Sequence, residues 1–296
     1  MSAADLAVVL LAHGSPDPRH ARGVERLAVR VRDIAATRGT NERVLCAFLD
    51  HNTPTPEDAA ASLLDNGVRE AIVVPLLLTT GFHSHVDVPL AMALITERAH
   101  ECAVTLSRPL AIDPGFAKAI EELLRNSGVA ATSSTGVLLI GAGSRDPEAL
   151  ATLAIAAQEI AASSEFHVAA AFVDAEPSVF ESHAALVARG CDLPIQAISV
   201  VISDGILRGR IATAADEVGA HLVPGTLVDT DALAAFALDG DARSARRSAV
   251  RLGVAGIRLE PHASVDTSGS VAGLRHDDPL VAATLGRPSR SDPEQV

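Results

Sequence analysis

A chain of 296 residues can bury one large core or two modest ones, and with 48% apolar residues, 2% aromatics and neither Trp nor Tyr its interior must be built from Ala, Val, Leu and Ile. A formal net charge of −13 argues against nucleic acid as a partner, because phosphate backbones are held by basic surfaces; a polyanionic ligand would need local Arg groups or helix N-termini. Cys46, Cys102 and Cys191 lack paired spacing, which argues against a disulfide framework or a Cys-based zinc site and for a reducing, cytoplasmic compartment.

The first apolar run, Leu6–Ala12 (LAVVLLA), has no basic segment before it and charged residues soon after. It reads as a strand covered on both faces rather than a signal peptide or membrane span, so no membrane partner is expected. After HGSPDPR, the residues Val24, Leu27, Val31 and Ile34 recur at helical spacing. A strand at Val44–Leu49, a helix from Pro56 to about Asn66 and a strand at Ala71–Leu78 follow. A helix near Pro89–His100, a strand at Ala103–Pro109 and a helix at Pro114–Arg125 complete a run of alternating strands and helices, which predicts a parallel, doubly wound α/β sheet.

Beyond the small, polar stretch Asn126–Thr135 the pattern begins again. GVLLIGAGSRDP echoes VVLLAHGSPDP, AFVDAEPS echoes AFLDHNTP, AISVVISDG echoes IVVPLLLTTG, and GTLVD echoes RPLAID. The predicted organisation is therefore two tandem doubly wound, flavodoxin-like domains, residues 1–130 and 136–240, facing each other across a cleft. The polar remainder, 241–296, lacks a sustained apolar period and reads as a largely disordered tail.

In open parallel sheets ligands bind beyond the carboxyl ends of the strands, where strand order reverses. His13 follows the first strand and His83 the third; with the order 2-1-3-4 these strands are neighbours and both imidazoles enter one crevice. Asp50, after the second strand, either adds a carboxylate there or only caps the turn before Pro54. Two imidazoles with a carboxylate suit Fe²⁺, Co²⁺ or Ni²⁺, and imidazoles also accept protons near neutrality. His85 either faces solvent or assists His83, while His20, His51 and His100 read as surface residues and the cysteines as small core residues.

Taken together these motifs resemble the class II tetrapyrrole chelatases of the sirohydrochlorin chelatase group, the CbiX and SirB type. The likeness rests on His13-Gly14-Ser15 with Asp17-Pro18, on Ala47-Phe48-Leu49-Asp50, on Val74-Pro75-Leu76-Leu77-Leu78, and on Gly81-x-His83-x-x-x-Asp87-Val88-Pro89. It implies a chelatase-like fold in both halves and insertion of a divalent metal substrate, Fe²⁺, Co²⁺ or Ni²⁺, into a tetrapyrrole for sirohaem or cobalamin biosynthesis, with no organic cofactor. By resemblance His13 and His83 bind the metal and take protons from the macrocycle, with Asp50 standing where relatives often carry Glu. Ser15 and nearby amides would hold a substrate carboxylate, Arg19 or Arg22 would add charge, and His85 would lie against the substrate. Asp87 and Pro89 would shape the start of the following helix.

In the second half Ala142 stands where His13 does and Leu207 where His83 does, while Asp174 persists. That half is expected to have lost chemistry and to form the opposite wall. With both halves in one chain, a monomer or a homodimer is compatible with the pattern. Two rival readings are a non-catalytic metal or tetrapyrrole carrier and a phosphate-handling enzyme using HGSPDPR as an anion loop.

Overall fold

The computed structural model describes residues 6–78, 86–108, 110 and 114–239. The expected tail and the segment that contains His83 and His85 lie outside the described residues.

The first half runs β1 (Leu6–Ala12), α1 (Pro18–Thr37), β2 (Arg43–Phe48), α2 (Pro56–Asp65), β3 (Glu70–Pro75), α3 (Val88–Arg98), β4 (Ala103–Leu106) and α4 (Pro114–Asn126). The second half repeats it with β5 (Thr135–Gly141), α5 (Pro147–Ser163), β6 (His167–Phe172), α6 (Val179–Ala188), β7 (Asp192–Ser199), α7 (Ile206–Glu217) and β8 (His221–Leu222). A 3₁₀ turn, Leu227–Asp229, and α8 (Asp231–Asp239) close it. Both sheets are parallel, in the orders β2-β1-β3-β4 and β6-β5-β7-β8. The 2-1-3-4 order expected for the first half thus recurs in the second.

Local chemistry sets the boundaries. Asp17 caps α1 by accepting from the Arg19 backbone N–H at 3.0 Å, and Pro18 follows at the first helical position, where its missing N–H costs nothing. α2 starts at a Thr55/Asp58 capping box and α6 at a Ser178/Glu181 one. β3 ends earlier than its apolar run. Pro75 has no N–H to give the ladder, Leu76 makes one last bond to the Leu11 carbonyl at 2.8 Å, and the chain then leaves the sheet.

Strand alternation sorts side chains into layers. Ala7, Val9 and Leu11 of β1 pack outward against α2 and α3, while Leu138 and Ile140 of β5 pack outward in the second half. Val8, Leu10 and Ala12 face inward, and so do Val137 and Leu139; they belong to one continuous apolar cluster that also takes in residues of α1, α4, α5 and α8. The two sheets therefore share a helical layer instead of enclosing separate interiors. Arg26–Asp229 at 3.2 Å, Arg30–Asp231 at 2.5 Å and Arg38–Asp239 at 2.7 Å line one edge of α1 against the C-terminal elements. These pairs are largely exposed, and each contributes at most about 1 kcal/mol, so they fix register more than stability. Glu122 of α4 accepts from the N–H groups of Asp231 and Ala232 at 2.8 and 2.9 Å, supplying the amides at the start of α8 with a carboxylate from the other half.

A tight backbone approach lies nearer the start of α1. A Cβ on Gly23 would sit 1.7 Å from Ser203 Oγ and 2.8 Å from Ser203 Cβ, so this helix approaches the second half at a position only glycine leaves open. Ser203 Oγ donates there to the His20 carbonyl at 3.1 Å.

Candidate functional site

The loops that follow β1 and β2 are zipped together. Asp50 N–H donates to the His13 carbonyl at 2.8 Å, and Ser15 N–H donates to Asn52 Oδ1 at 2.8 Å. Gly14 has φ +97°, and a Cβ built on it would fall 1.8 Å from the Asp50 carbonyl oxygen. The turn carrying His13 can therefore lie this close to the second loop only with glycine next to the histidine.

His13 is half-buried at the carboxyl end of β1, with Nδ1 3.2 Å from the Gly14 carbonyl. A carbonyl only accepts, so this contact suits an imidazole that donates from Nδ1, and in that neutral form Nε2 is the nitrogen able to act as ligand or base. His13 lines a cleft of about 710 Å³ whose walls come from both halves. Ser15 and Leu76–Leu78 line it from the first half, and Gly141–Ser144 and Val200–Leu207 from the second. The lining is mainly apolar, with few charged groups, as small-molecule sites usually are.

The other candidates divide. Ser15 lies in the cleft, its Oγ accepting from Asp17 N–H at 3.1 Å. Asp50 is exposed and turned onto its own loop: its carboxylate accepts from His51 N–H at 2.7 Å and lies 3.3 Å from His51 Nε2. His51 adopts φ 61°, unusual for a residue with a side chain, and that local turn brings the imidazole back beside Asp50. Arg19 is exposed and held by Asp17, with Nη2 donating at 2.7 Å and Nε at 3.1 Å to both oxygens. The Arg19 guanidinium and backbone N–H together draw the Asp17 carboxyl down to about 2. Neither Asp50 nor Arg19 lines the cleft. Asp87 and Pro89 stand at the N-terminus of α3, as expected. Among the described residues no group of three His, Cys, Asp or Glu side chains could hold an ion together; His83 and His85 lie outside them.

Sequence reasoning missed His20. It was expected at the surface, yet it lines the cleft beside His13, and its Nε2 is buried with no hydrogen-bond partner among the described residues. Burial, and secondarily the neighbouring His13, lowers its pKa against the opposing pull of Asp17, which favours the neutral imidazole. The missed signal was periodicity: His20 begins the stripe continued by Val24, Leu27 and Val31, the buried face of α1. His51 and His100 are exposed as expected, Cys102 and Cys191 are buried, and Cys46 is half-buried.

The second half repeats the turns without the imidazole. Gly143 has φ +101°, Asp174 N–H donates to the Ala142 carbonyl at 2.9 Å, and Asp146 N–H donates to Ser144 Oγ at 3.0 Å, each matching its counterpart around His13. The Asp174 carboxylate pairs with Arg210 of α7.

Comparison with known proteins agrees with this architecture. The family model described as CbiX matches residues 7–127 and 136–231. A sirohydrochlorin ferrochelatase of Bacillus subtilis is 31% identical over 102 residues, 34% of this chain and 39% of that protein. A sirohydrochlorin cobaltochelatase of Methanopyrus kandleri is 34% identical over 92 residues, 31% of this chain and 62% of that protein. The chain thus spans less than two thirds of these curated relatives. SirB from Bacillus subtilis, solved with Fe³⁺, superposes with a TM-score of 0.66 at 20% identity, covering 83% of this chain and 98% of that one, a likeness of fold.

Proposed function

The chain belongs to the CbiX family, and on that premise we propose that it inserts a divalent metal, Fe²⁺ or Co²⁺, into sirohydrochlorin. The observation that carries this reading is the half-buried His13 imidazole at an apolar cleft walled by both halves. Residues 1–130 would supply the reacting groups, residues 136–240 the opposite wall, and 241–296 would lie outside both. One chain supplies both walls, so the site needs no second copy. No helix among the described residues is long and apolar enough to cross a membrane, and the unpaired cysteines fit a cytoplasmic setting.

In this scheme the macrocycle slides between the halves with its faces against Leu76–Leu78 and Val200–Ile202. The metal substrate is presented by His13 together with His83. As it passes to the ring, the neutral imidazoles accept the protons that leave the pyrrole nitrogens, and the approaching cation favours that loss electrostatically. Ser15 would meet the edge of the ring. Asp50 would have to leave His51 to reach the metal.

The test is to mix purified protein with sirohydrochlorin and Fe²⁺ or Co²⁺ and follow the absorbance spectrum. Insertion faster than in free solution is expected, with His13→Ala and His83→Ala each slowing it about 10²–10⁴-fold. Full-rate insertion by both variants would overturn the reading; tight stoichiometric uptake without acceleration would assign a carrier instead.

A further inference from the structure

The second half keeps the acid of its vestigial site and gives that acid a different partner. Its turns superpose in hydrogen bonding on those around His13, with Ala142 at the histidine position and Asp174 at the position of Asp50. Leu207 replaces His83, and one helical turn later comes Arg210, on the same face of α7. Leu207 and Arg210 both line the cleft, and the Arg210 guanidinium donates to Asp174. Its counterpart in the first half is Val86.

Charge gives this arrangement a use. The protein is strongly acidic, with a net charge of −13, and an anionic ligand must find local cations. Among the described residues Arg210 is the only Arg or Lys that lines the cleft. The nearby Asp204, also in the lining, is occupied by Arg208 at 3.3 Å. The Arg210 side chain is about half exposed, at 49%, so its remaining donors can reach into the cleft. A planar guanidinium has five N–H donors, and one carboxylate does not use them all.

We propose that Arg210 anchors a peripheral carboxylate of the tetrapyrrole, so that the half whose turn lacks the imidazole orients the macrocycle over His13. The inference rests on the function proposed above and adds the group that recognises the acid side chains of the substrate. The resident pairing with Asp174 keeps the guanidinium extended along the wall before the ligand arrives, which reduces the ordering cost of binding. Arg210 is a binding residue, distant from proton transfer.

The experiment measures binding of metal-free sirohydrochlorin, and of its fully esterified form, to the full-length wild type and to Arg210→Ala, Arg210→Lys and Asp174→Asn. Loss of a charge-assisted pair weakens binding about tenfold or more, so Arg210→Ala is expected to raise Kd for the free acid by that factor, with Lys restoring part of it. The ester should bind wild type and Arg210→Ala equally. Asp174→Asn should match or exceed wild-type affinity, because the guanidinium is no longer shared; a merely structural pair predicts that both variants weaken alike. Equal affinity of wild type and Arg210→Ala for the free acid, or parallel losses in Arg210→Ala and Asp174→Asn, would overturn the inference while leaving the chelatase reading intact. A wild-type protein that neither binds nor metallates sirohydrochlorin would overturn both.

Discussion

Replacing Gly23 by Ala tests how tightly the two halves are joined. In an unobstructed helix this change stabilises by about 1 kcal/mol. In α1 the new methyl would stand 1.7 Å from Ser203 Oγ and 2.8 Å from Ser203 Cβ. The hydroxyl can rotate away, but the Cβ is fixed to the backbone of the opposing wall, so the helix must retreat. Overpacking costs about 1–3 kcal/mol; a clash with a backbone-anchored Cβ belongs in the upper part of that range, about 2–3 kcal/mol, so after the propensity gain the net loss is about 1–2 kcal/mol. The same substitution in a Ser203→Gly background loses both of these clashes and keeps Val228 Cγ2 at 3.4 Å, an ordinary contact, so it should return to neutral or stabilising. The cycle therefore predicts a coupling of about 2 kcal/mol between residues 23 and 203. Without Trp or Tyr, unfolding is best followed by circular dichroism in urea. The retreat of α1 would also break the Ser203–His20 bond and widen the cleft, lowering the insertion rate. A Gly23→Ala protein as stable as wild type with Ser203 in place would refute the close packing of α1 on the second half.

Gly14→Ala should cost at least about 2 kcal/mol, because it places a side chain at positive φ and drives a methyl into the Asp50 carbonyl; urea unfolding reads the loss, and insertion should fall with it as His13 is displaced. Burial pushes the Cys46 and Cys102 thiols up to about 11 each, so at pH 8 they should resist disulfide reagents in the folded protein and react promptly in urea; rapid native labelling would contradict their burial. Raised thiol pKa values favour the folded state below the unfolded value near 9. That contribution should fade as pH climbs from about 9 to 11, a decline that Cys46→Ala and Cys102→Ala should reduce. Asp17 shifts the other way: with its carboxyl near 2 in the folded protein, its stabilisation is intact above about pH 4 and lost as pH falls toward 2. Asp17→Asn keeps the cap and removes the charge, so it should flatten stability across that interval; an unchanged acid profile would show that the Arg19 pairing contributes nothing.

Much of this structure was legible in the chain. Continuous apolar runs such as Leu6–Ala12 gave the buried strands, the repeated HGS-like turn gave the duplication, and 2-1-3-4, taken as a common order for such a sheet, is the one observed. What escaped depends on contacts between elements. Hydropathy did not separate a ladder strand from a pocket wall, so Leu76–Leu78, which line the cleft, read as an extension of β3. The shared helical layer arises because the inner stripe of α1 meets α8, a helix the periodicity of the second half did not announce. His20 was read as polar and hence exposed, although its spacing from Val24 placed it on the buried face. The sequence leaves Asp50 either facing the site or capping its turn, and Arg19 is expected at the substrate by resemblance; in the structure a left-handed His51 and an adjacent Asp17 hold both against their own loops. Such diversions are settled by one backbone angle or one neighbour two residues away, and residue type alone does not reveal them.

In the proposed chemistry His13 and His83 converge on one metal ion before it passes to the ring. Binding Co²⁺ without macrocycle and counting imidazole nitrogens by X-ray absorption addresses it most directly. Stoichiometric Co²⁺ with two imidazoles is expected in the wild type, and loss of one imidazole with weakened binding in each of His13→Ala and His83→Ala. A coordination sphere left unchanged by either substitution would contradict it.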